Sequence, residues 1–422
     1  MQEKVNHLIY AADQDLHNSI RLGITLTEPV DPDALRAALP LAAKRFPFFA
    51  VKLVKVGEEL RFEPNDAPFV VSADGGTVTL GTEESNGHLF AFAYQGNTLY
   101  VDLSHFVSDG NGSFQFLKTL LYSYLHILHP EAQFDEESIL LPDSPILPAE
   151  LECDPYPEQP LPVTPLGDMT RPEEILMLHD QPQGYENSKD WTAFRFHIKQ
   201  KDLMGYASSV DGSPSTFVSS LLFRAVSDLH PENPLPVVCG VQHQFRKALR
   251  KPFSHLCHVN IVPIEYPFRL RGKEMMKLNT ISRGRLILRG DDENDKLTVN
   301  RHIDDDKRIR KMTYAEKRNY MRQVLLDGIG KNTFEVSYTG RVPWSGVDAY
   351  ITDVSPYLDM TLSGGISAEI FTVRDEFCIN IMQRSPDSKY FDRVKGYLNE
   401  LSIPFTALPP EHFAICGLRL PE

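Results

Sequence analysis

Apolar and polar residues alternate with the period of a β-strand in several stretches of the first third of the chain. Residues 19–26 alternate in this way, and residues 49–56 form a second stretch of strand character. Residues 88–94 and 97–103 predict a hairpin, because Gln95 and Gly96 between them favour a tight turn. The pattern therefore predicts a sheet in this part of the chain.

Two helices are predicted within the same part. The first begins at Asp31-Pro32-Asp33, which supplies a cap, a proline suited to the first turn and an acidic residue suited to the helix dipole. We expect Pro40 to bend or split this helix. The second helix follows the hairpin, and its apolar face consists of Phe114, Leu117, Leu121, Tyr124, Leu125 and Leu128.

Strand and helix periods alternate again beyond residue 190. Strands are predicted at residues 192–198, 236–242, 258–266, 333–338, 349–353, 366–373 and 376–384. Helices are predicted at residues 215–229, 273–289, 313–328 and 388–401. The acidic run at 291–295 predicts a solvated loop between two of these helices. Together the elements predict an α/β (α+β) protein with mixed sheets flanked by helices.

Prolines crowd the segment between residues 142 and 182, which lacks a regular period. Such proline density is typical of a semi-rigid connector. We therefore expect an N-terminal subdomain at 1–141, a connector at 142–188 and a C-terminal subdomain at 189–422.

The composition limits the classes to which the protein can belong. A chain of 422 residues exceeds the ~100–200 residues of one compact core, which also favours two globular units. Its 43 basic and 57 acidic residues give a net charge of −14, which argues against a nucleic-acid partner. The region 283–311 is nevertheless locally basic, with Arg283, Arg285, Arg289, Lys307, Arg308, Arg310 and Lys311.

Targeting and metal-binding signals are missing from the sequence. The N-terminus lacks the basic and apolar regions of a secretory signal, and no apolar run is long enough to insert into a membrane. The five cysteines are scattered, so we expect reduced thiols in a soluble cytoplasmic protein. Neither the run 291–295 nor the histidines and cysteine of 255–258 have the spacing of metal ligands, so we expect no metal site.

The segment 102–112 carries the strongest indication of chemistry. An apolar strand delivers His105 to a turn, Asp109-Gly110 follows four residues later, and a helix begins at once. An imidazole at a strand end can face a cavity, and its pKa near neutrality suits proton abstraction. Asp109 can order the loop through backbone or arginine contacts, and Gly110 permits a backbone conformation that a Cβ would oppose. A packed histidine before an ordinary turn has the same spacing, so the spacing alone does not distinguish a catalytic histidine from a structural one.

This His-x-x-x-Asp-Gly pattern resembles that of the CoA-dependent acyltransferase superfamily, which includes chloramphenicol acetyltransferase, plant BAHD acyltransferases, alcohol acetyltransferases and the condensation domains of peptide synthetases. His105, Asp109 and Gly110 match the pattern, with an apolar strand before them and a helix after them. Residues 45–49 resemble the family's early passage from helix to strand. Residues 336–340 resemble the strand that faces the histidine across a tunnel. The chain is most similar to the bacterial alcohol-acetyltransferase-like group.

The resemblance implies two chloramphenicol-acetyltransferase-like subdomains with a tunnel between them and His105 near its middle. It implies that His105 is the general base, that Asp109 organises the loop, commonly by pairing with an arginine, and that no acyl-enzyme forms. Acyl-CoA, acetyl-CoA by default, is then a co-substrate rather than a bound cofactor, and the acceptor is a hydroxyl or amine of a small molecule. The basic region 283–311, or another local patch, would face the tunnel mouth and attract the CoA phosphates. Because both halves belong to one chain, we expect a monomer.

A hydrogen-bond donor is also needed for the tetrahedral oxyanion. Ser337, Tyr338 and Asn260 are candidates, although each is equally explained as a strand residue with a local hydrogen bond. Residues that bind CoA are not identified. Ser104 stands where condensation domains carry a second histidine, and the Asp-Phe-Gly-Trp-Gly segment of the plant enzymes is missing, so we disfavour both branches. Two alternatives stay open: a stand-alone condensation-like enzyme that uses a carrier-protein thioester, and a non-catalytic binding protein on the same fold.

Overall fold

The computed structural model describes residues 5–13, 16–151, 154–164, 171–178, 191–328 and 331–421, and the structural statements below concern this part of the chain. Its α-helices are α1 (Pro32–Arg45), α2 (Gly110–Leu128), α3 (Gln200–Ser209), α4 (Pro214–Leu229), α5 (Arg246–Leu249), α6 (Met275–Arg289), α7 (Asp292–Ile309), α8 (Tyr314–Leu326) and α9 (Lys389–Glu400). Its strands are β1 (Ser19–Leu26), β2 (Val51–Val56), β3 (Glu59–Pro64), β4 (Val71–Ser72), β5 (Thr79–Leu80), β6 (Phe90–Gln95), β7 (Thr98–Ser104), β8 (Trp191–Lys199), β9 (Val237–Gln244), β10 (Val259–Tyr266), β11 (Phe334–Tyr338), β12 (Ile351–Leu358), β13 (Ile366–Val373), β14 (Glu376–Gln383), β15 (Thr406–Ala407), β16 (Glu411–Phe413) and β17 (Gly417–Leu418). The expected α/β class with mixed sheets is confirmed.

The first sheet has the strand order β12-β1-β7-β6-β4. β1 pairs in antiparallel fashion with β7 on one side and with β12 on the other, so a strand from the C-terminal part completes this sheet. Helices α1 and α2 pack against each other, and their apolar faces join the sheet in a core that includes Leu35, Phe92 and Leu121. This core holds the end of β7 and the start of α2 in place.

The second sheet has the order β10-β9-β11-β13-β14-β8-β15, with β16 also paired to β8. β11 runs parallel to both of its neighbours, and the other pairs are antiparallel. Helix α4 packs on one face, where Leu221 and Ile370 belong to the core. The opposite face of β11 and β13 carries Ser337 and Glu369 and is turned towards a cavity.

The structure corrects one expectation about the helices and excludes one of the two effects expected of Pro40. Residues 291–295 are not a loop, because the Asp291 side chain accepts a hydrogen bond from Asn294 N and α7 begins at Asp292. Acidic residues suit this position, since they interact favourably with the positive end of the helix dipole. Pro40 does not split α1, which runs unbroken from Pro32 to Arg45.

The two parts of the chain are joined at two sheets. β12 pairs with β1, and β17 pairs with β5. Residues 152–153, 165–170 and 179–190 of the proline-rich segment, including Cys153, lie outside the described residues. The division at 142–188 stays a prediction. No helix in the described ranges is both long enough and apolar enough to cross a bilayer.

Candidate active site

A cavity of about 290 Å³ lies between the two sheets. Leu22 and Leu103 of the first sheet line one side, together with the first turns of α2. Ser337 and Glu369 of the second sheet line the other side. The predicted base, His105, is among the lining residues, so the structure brings the motif and the second half of the chain to one place.

The ring of His105 is held by the turn that follows β7. Its Nδ1 lies 3.0 Å from the carbonyl oxygen of Ser108. A carbonyl oxygen only accepts hydrogen bonds, so Nδ1 must carry a proton that it donates. Nε2 is therefore the nitrogen that gains and loses a proton, and it has no hydrogen-bond partner among the described residues.

Opposing influences set the charge of His105. Burial lowers the pKa of the imidazole, whereas the Cys257 sulfur, 3.5 Å from Nδ1, and the Asp109 carboxylate raise it. The raising influences prevail, and the pKa of His105 is raised to about 9. Nε2 therefore becomes a proton acceptor as the pH approaches this value.

Asp109 is 1 % exposed, and protein donors occupy both of its carboxylate oxygens. Oδ1 accepts hydrogen bonds from Gly112 N at 2.8 Å and from Arg246 Nη2 at 2.7 Å, and Oδ2 accepts one from His258 N at 2.9 Å. Burial alone raises the pKa of this carboxyl, but the Arg246 guanidinium and these donors outweigh burial and lower it. Asp109 thus ties the start of α2 to α5 and to the segment before β10, as a loop organiser would.

Sequence reasoning missed Arg246 and Cys257 at this site. Arg246 also donates from Nε to Ser254 O at 3.0 Å and from Nη2 to Leu256 O at 2.7 Å, which fixes the segment that carries Cys257. The resemblance implied an arginine partner for Asp109 without identifying it. No local signal marks either residue, because Arg246 and Cys257 lie 137 and 152 positions along the chain from the motif residues that they contact.

The glycine that the loop requires is Gly112 rather than Gly110. Gly110 has no positive φ, and a Cβ there would meet only Thr339 Cγ2, at 3.6 Å. A Cβ on Gly112 would lie far inside van der Waals distance of His255 O and Ser108 Oγ. The close approach of two backbone segments, rather than a left-handed conformation, therefore excludes a side chain at residue 112.

The three oxyanion candidates end in different places. Ser337 and Tyr338 both line the cavity. Asn260 lies on β10, its Nδ2 donates to Thr298 Oγ1 at 2.9 Å, and it is not part of the lining. The structure therefore brings two of the three candidates to the cavity, and the third, Asn260, is explained by its hydrogen bond to Thr298 of α7.

None of the basic residues in the region 283–311 lines this cavity. Arg283 forms an ion pair with Asp211, and both Arg285 and Arg289 form ion pairs with Glu265. No lysine or arginine of the described residues lines the cavity. These arginines therefore have structural partners and supply no positive charge to the cavity walls.

A second group of metal-ligating residue types lies elsewhere, where ligand atoms of His197, Asp353 and Cys378 come within 4.8 Å of one another. Asp353 accepts hydrogen bonds from Arg195 Nη1 at 2.9 Å and from His197 Nε2 at 2.8 Å. Burial raises the pKa of the Cys378 thiol, which keeps it protonated. The guanidinium and the protonated thiol both disfavour a cation, so the group is explained as an ion-pair network.

Comparisons with known proteins identify solved structures that share this fold. No protein-family model and no curated protein matches the chain. TRI101 of F. graminearum, solved with coenzyme A and deoxynivalenol, is similar with a TM-score of 0.62 and 12% identity, covering 96% of this chain and 99% of that one. Polyketide synthase associated protein 5 of Mycobacterium tuberculosis is similar with a TM-score of 0.54 and 12% identity, covering 94% and 96%.

Condensation domains share the same architecture. That of the Monacolin K polyketide synthase MokA has a TM-score of 0.52 and 12% identity, covering 95% of this chain and 96% of that one. The chain therefore has the fold common to CoA-dependent acyltransferases and condensation domains, as the His-x-x-x-Asp-Gly resemblance implied.

Proposed function

We propose that the protein transfers an acyl group from a CoA thioester to a hydroxyl or amine of a small-molecule acceptor. The arrangement of His105 carries this proposal: its Nδ1 proton is donated to Ser108 O, its Nε2 has no partner among the described residues, and the ring lines a cavity between the sheets. A general base needs a ring nitrogen within hydrogen-bond reach of the acceptor, and this geometry supplies one.

In the proposed reaction, the acceptor O–H or N–H gives its proton to Nε2 while the oxygen or nitrogen attacks the thioester carbonyl carbon. The tetrahedral intermediate collapses, the C–S bond breaks, and the proton on Nε2 passes to the CoA sulfur. The products are an ester or amide and free CoA, and no bond to the protein forms. The Ser108 carbonyl holds the Nδ1 proton throughout, which stabilises the imidazolium formed between the two proton transfers.

Other residues have supporting roles in the proposal. Asp109 does not touch the substrates but fixes the loop that carries His105. Ser337 and Tyr338 are both residues of the cavity lining, and their hydroxyls are the proposed donors to the oxyanion. Each would stabilise charge that develops only in the transition state.

The proposed donor is acyl-CoA, with acetyl-CoA as the default, consumed as a co-substrate. Structures of this fold support that donor class: TRI101 of F. graminearum was solved with coenzyme A, and the starter condensation domain of rhizomide synthetase RzmA with C8-CoA. The cytoplasmic location and the monomeric state expected from the sequence are further parts of the proposal.

Release of free CoA thiol tests the proposed function. The purified protein is incubated with acetyl-CoA and longer acyl-CoAs and with a panel of small alcohols and amines. His105→Ala should lower the acceptor-dependent rate by roughly 10²- to 10⁴-fold. His126→Ala is the control, since His126 is an exposed histidine outside the cavity lining and should leave the rate unchanged. Equal rates for the wild type and His105→Ala would refute the base, and turnover only with carrier-protein thioesters would favour the condensation-like alternative.

A further inference from the structure

Three polar residues form a row across the second sheet, on the face that borders the cavity. Ser337 of β11 is paired in register with Glu369 of β13, and Glu369 is paired with Asn380 of β14. Directly paired residues project to the same face of a sheet, so these side chains are neighbours. Glu369 lines the cavity although it is only 4 % exposed, and Asn380 is 2 % exposed.

Two acceptor oxygens in this row have no hydrogen-bond partner among the described residues. They are Oε1 of Glu369 and Oδ1 of Asn380, both buried. The orientation of the Asn380 amide is fixed, because its Nδ2 donates to the carbonyl oxygen of Pro356. Buried polar atoms are almost always hydrogen-bonded. When Glu369 is ionised, both of these adjacent oxygens can only accept, so they indicate a missing group that donates.

The charge around Glu369 favours a positive donor. Burial and the neighbouring Glu335 raise the pKa of Glu369, while the Ser337 hydroxyl and His105 lower it, and the result is a pKa of about 8. No lysine or arginine of the described residues lines the cavity. A cation beside Glu369 would therefore supply the charge partner that the ionised carboxylate lacks.

We propose that Glu369, which lines the cavity beside Asn380, binds the amino group of the acceptor, so that the substrates of this enzyme are primary amines. This inference rests on the proposed function, because it assigns the acceptor side of that site. The ammonium group passes one proton to the Glu369 carboxylate and becomes a neutral amine. The amine nitrogen then attacks the thioester carbonyl carbon, and its second proton moves to His105 Nε2 and on to the departing CoA sulfur. An amide and free CoA form, and Glu369 returns its proton to solvent.

Binding of hexylamine and 1-hexanol, measured by calorimetry without acyl-CoA, tests the inference. These ligands have the same length and differ in the group that would meet Glu369. The wild type should prefer the amine, and Glu369→Gln should weaken amine binding on the order of 10- to 100-fold while leaving hexanol binding unchanged. Unchanged hexanol binding also shows that the variant is folded.

Two further variants sharpen the test. Glu335→Gln removes a buried carboxyl of the same sheet that does not line the cavity, and it should keep the preference for the amine. Glu369→Asp keeps a carboxylate and should also keep that preference. The inference is overturned if the wild type binds both ligands alike, or if the Glu369→Gln and Glu335→Gln variants lose amine binding equally. If the protein binds the amine but transfers no acyl group from any CoA thioester, the proposed function is refuted, whereas the amine-binding site is supported.

Discussion

Replacing Arg246 by alanine should destabilise the protein through the carboxylate that it leaves behind. The Arg246 and Asp109 side chains are 7% and 1% exposed, and Nη2 lies 2.7 Å from Oδ1. Both charged groups are therefore largely withheld from water in the folded protein. The variant also leaves the carbonyl oxygens of Ser254 and Leu256 without their donors.

The magnitude follows from the burial of this pair. Removing one partner of a buried ion pair costs about 3–5 kcal/mol, because the other charge stays desolvated. Asp109→Asn in the same chain replaces the stranded carboxylate with a neutral amide of the same shape. The double variant should therefore be more stable than Arg246→Ala alone, by on the order of 1–3 kcal/mol.

The free energy of unfolding from urea titrations measures both effects. The pH dependence supplies a second readout. In the wild type the lowered pKa of Asp109 contributes stability that is present above pH 3.8, the ordinary value, and is lost as the pH falls through the folded-state pKa. Without Arg246, only the Gly112 and His258 N–H groups oppose the effect of burial, so the pKa of Asp109 rises. Mild acid should therefore stabilise Arg246→Ala relative to the wild type. A double variant no more stable than the single one, with parallel pH curves, would refute this reasoning.

Three further predictions concern the motif and the N-terminal segment. The rate of acyl transfer should rise with pH up to about 9 as His105 loses its proton, and Cys257→Ala should move this rise to lower pH, because burial then dominates the pKa of His105. The pH-rate profiles of the wild type and the variant measure both effects, and identical profiles would contradict the role of the thiol. Gly112→Ala should cost about 1–3 kcal/mol of stability in thermal melts, whereas Gly110→Ala should change it by less than about 0.5 kcal/mol, and similar losses would count against the packing argument. Burial lowers the pKa of His7 to about 4, so between pH 6.5 and 4 the unfolded chain binds a proton at this residue and the folded protein does not. His7→Phe should therefore remove up to roughly 3 kcal/mol of the stability that is lost between pH 6.5 and 4. An unchanged dependence of the unfolding free energy on pH would contradict this.

The motif could be placed from the sequence because its signals are local. The alternation of Ser19–Leu26 and of the strand before His105 depends on neighbours two positions apart, and both strands are found where the pattern predicts them. Asp109 caps α2 through Gly112, three residues away. The same local reasoning misread residues 291–295, because acidic residues suit a solvated loop and a helix start equally well.

The rest of the site depends on contacts that no local pattern contains. Arg246, Cys257 and Glu369 reach the motif only because the second sheet lies across the cavity from the first. A carboxylate in a strand such as β13 gives no sign in the sequence of whether it faces water, a partner or a cavity. Asn260 is the opposite case. Its residue type and its position in a strand suited a donor to the oxyanion, but its Nδ2 donates a hydrogen bond to Thr298 instead.

The pairing of β1 with β12 limits when the first sheet can fold during synthesis of the chain. Ile20 is paired with Leu358, so β1 gains its second neighbour only after more than 300 further residues have been synthesised. At ~5–20 residues per second, an edge of β1 stays unpaired on the ribosome for roughly 20–60 s. An open strand edge is a template for pairing with other chains, so fragments that end before Ile351 should aggregate rather than fold as an independent N-terminal half. Folding of the first sheet therefore cannot finish before β12 has been synthesised, and the same pairing brings Pro356 and Leu358 to the cavity wall.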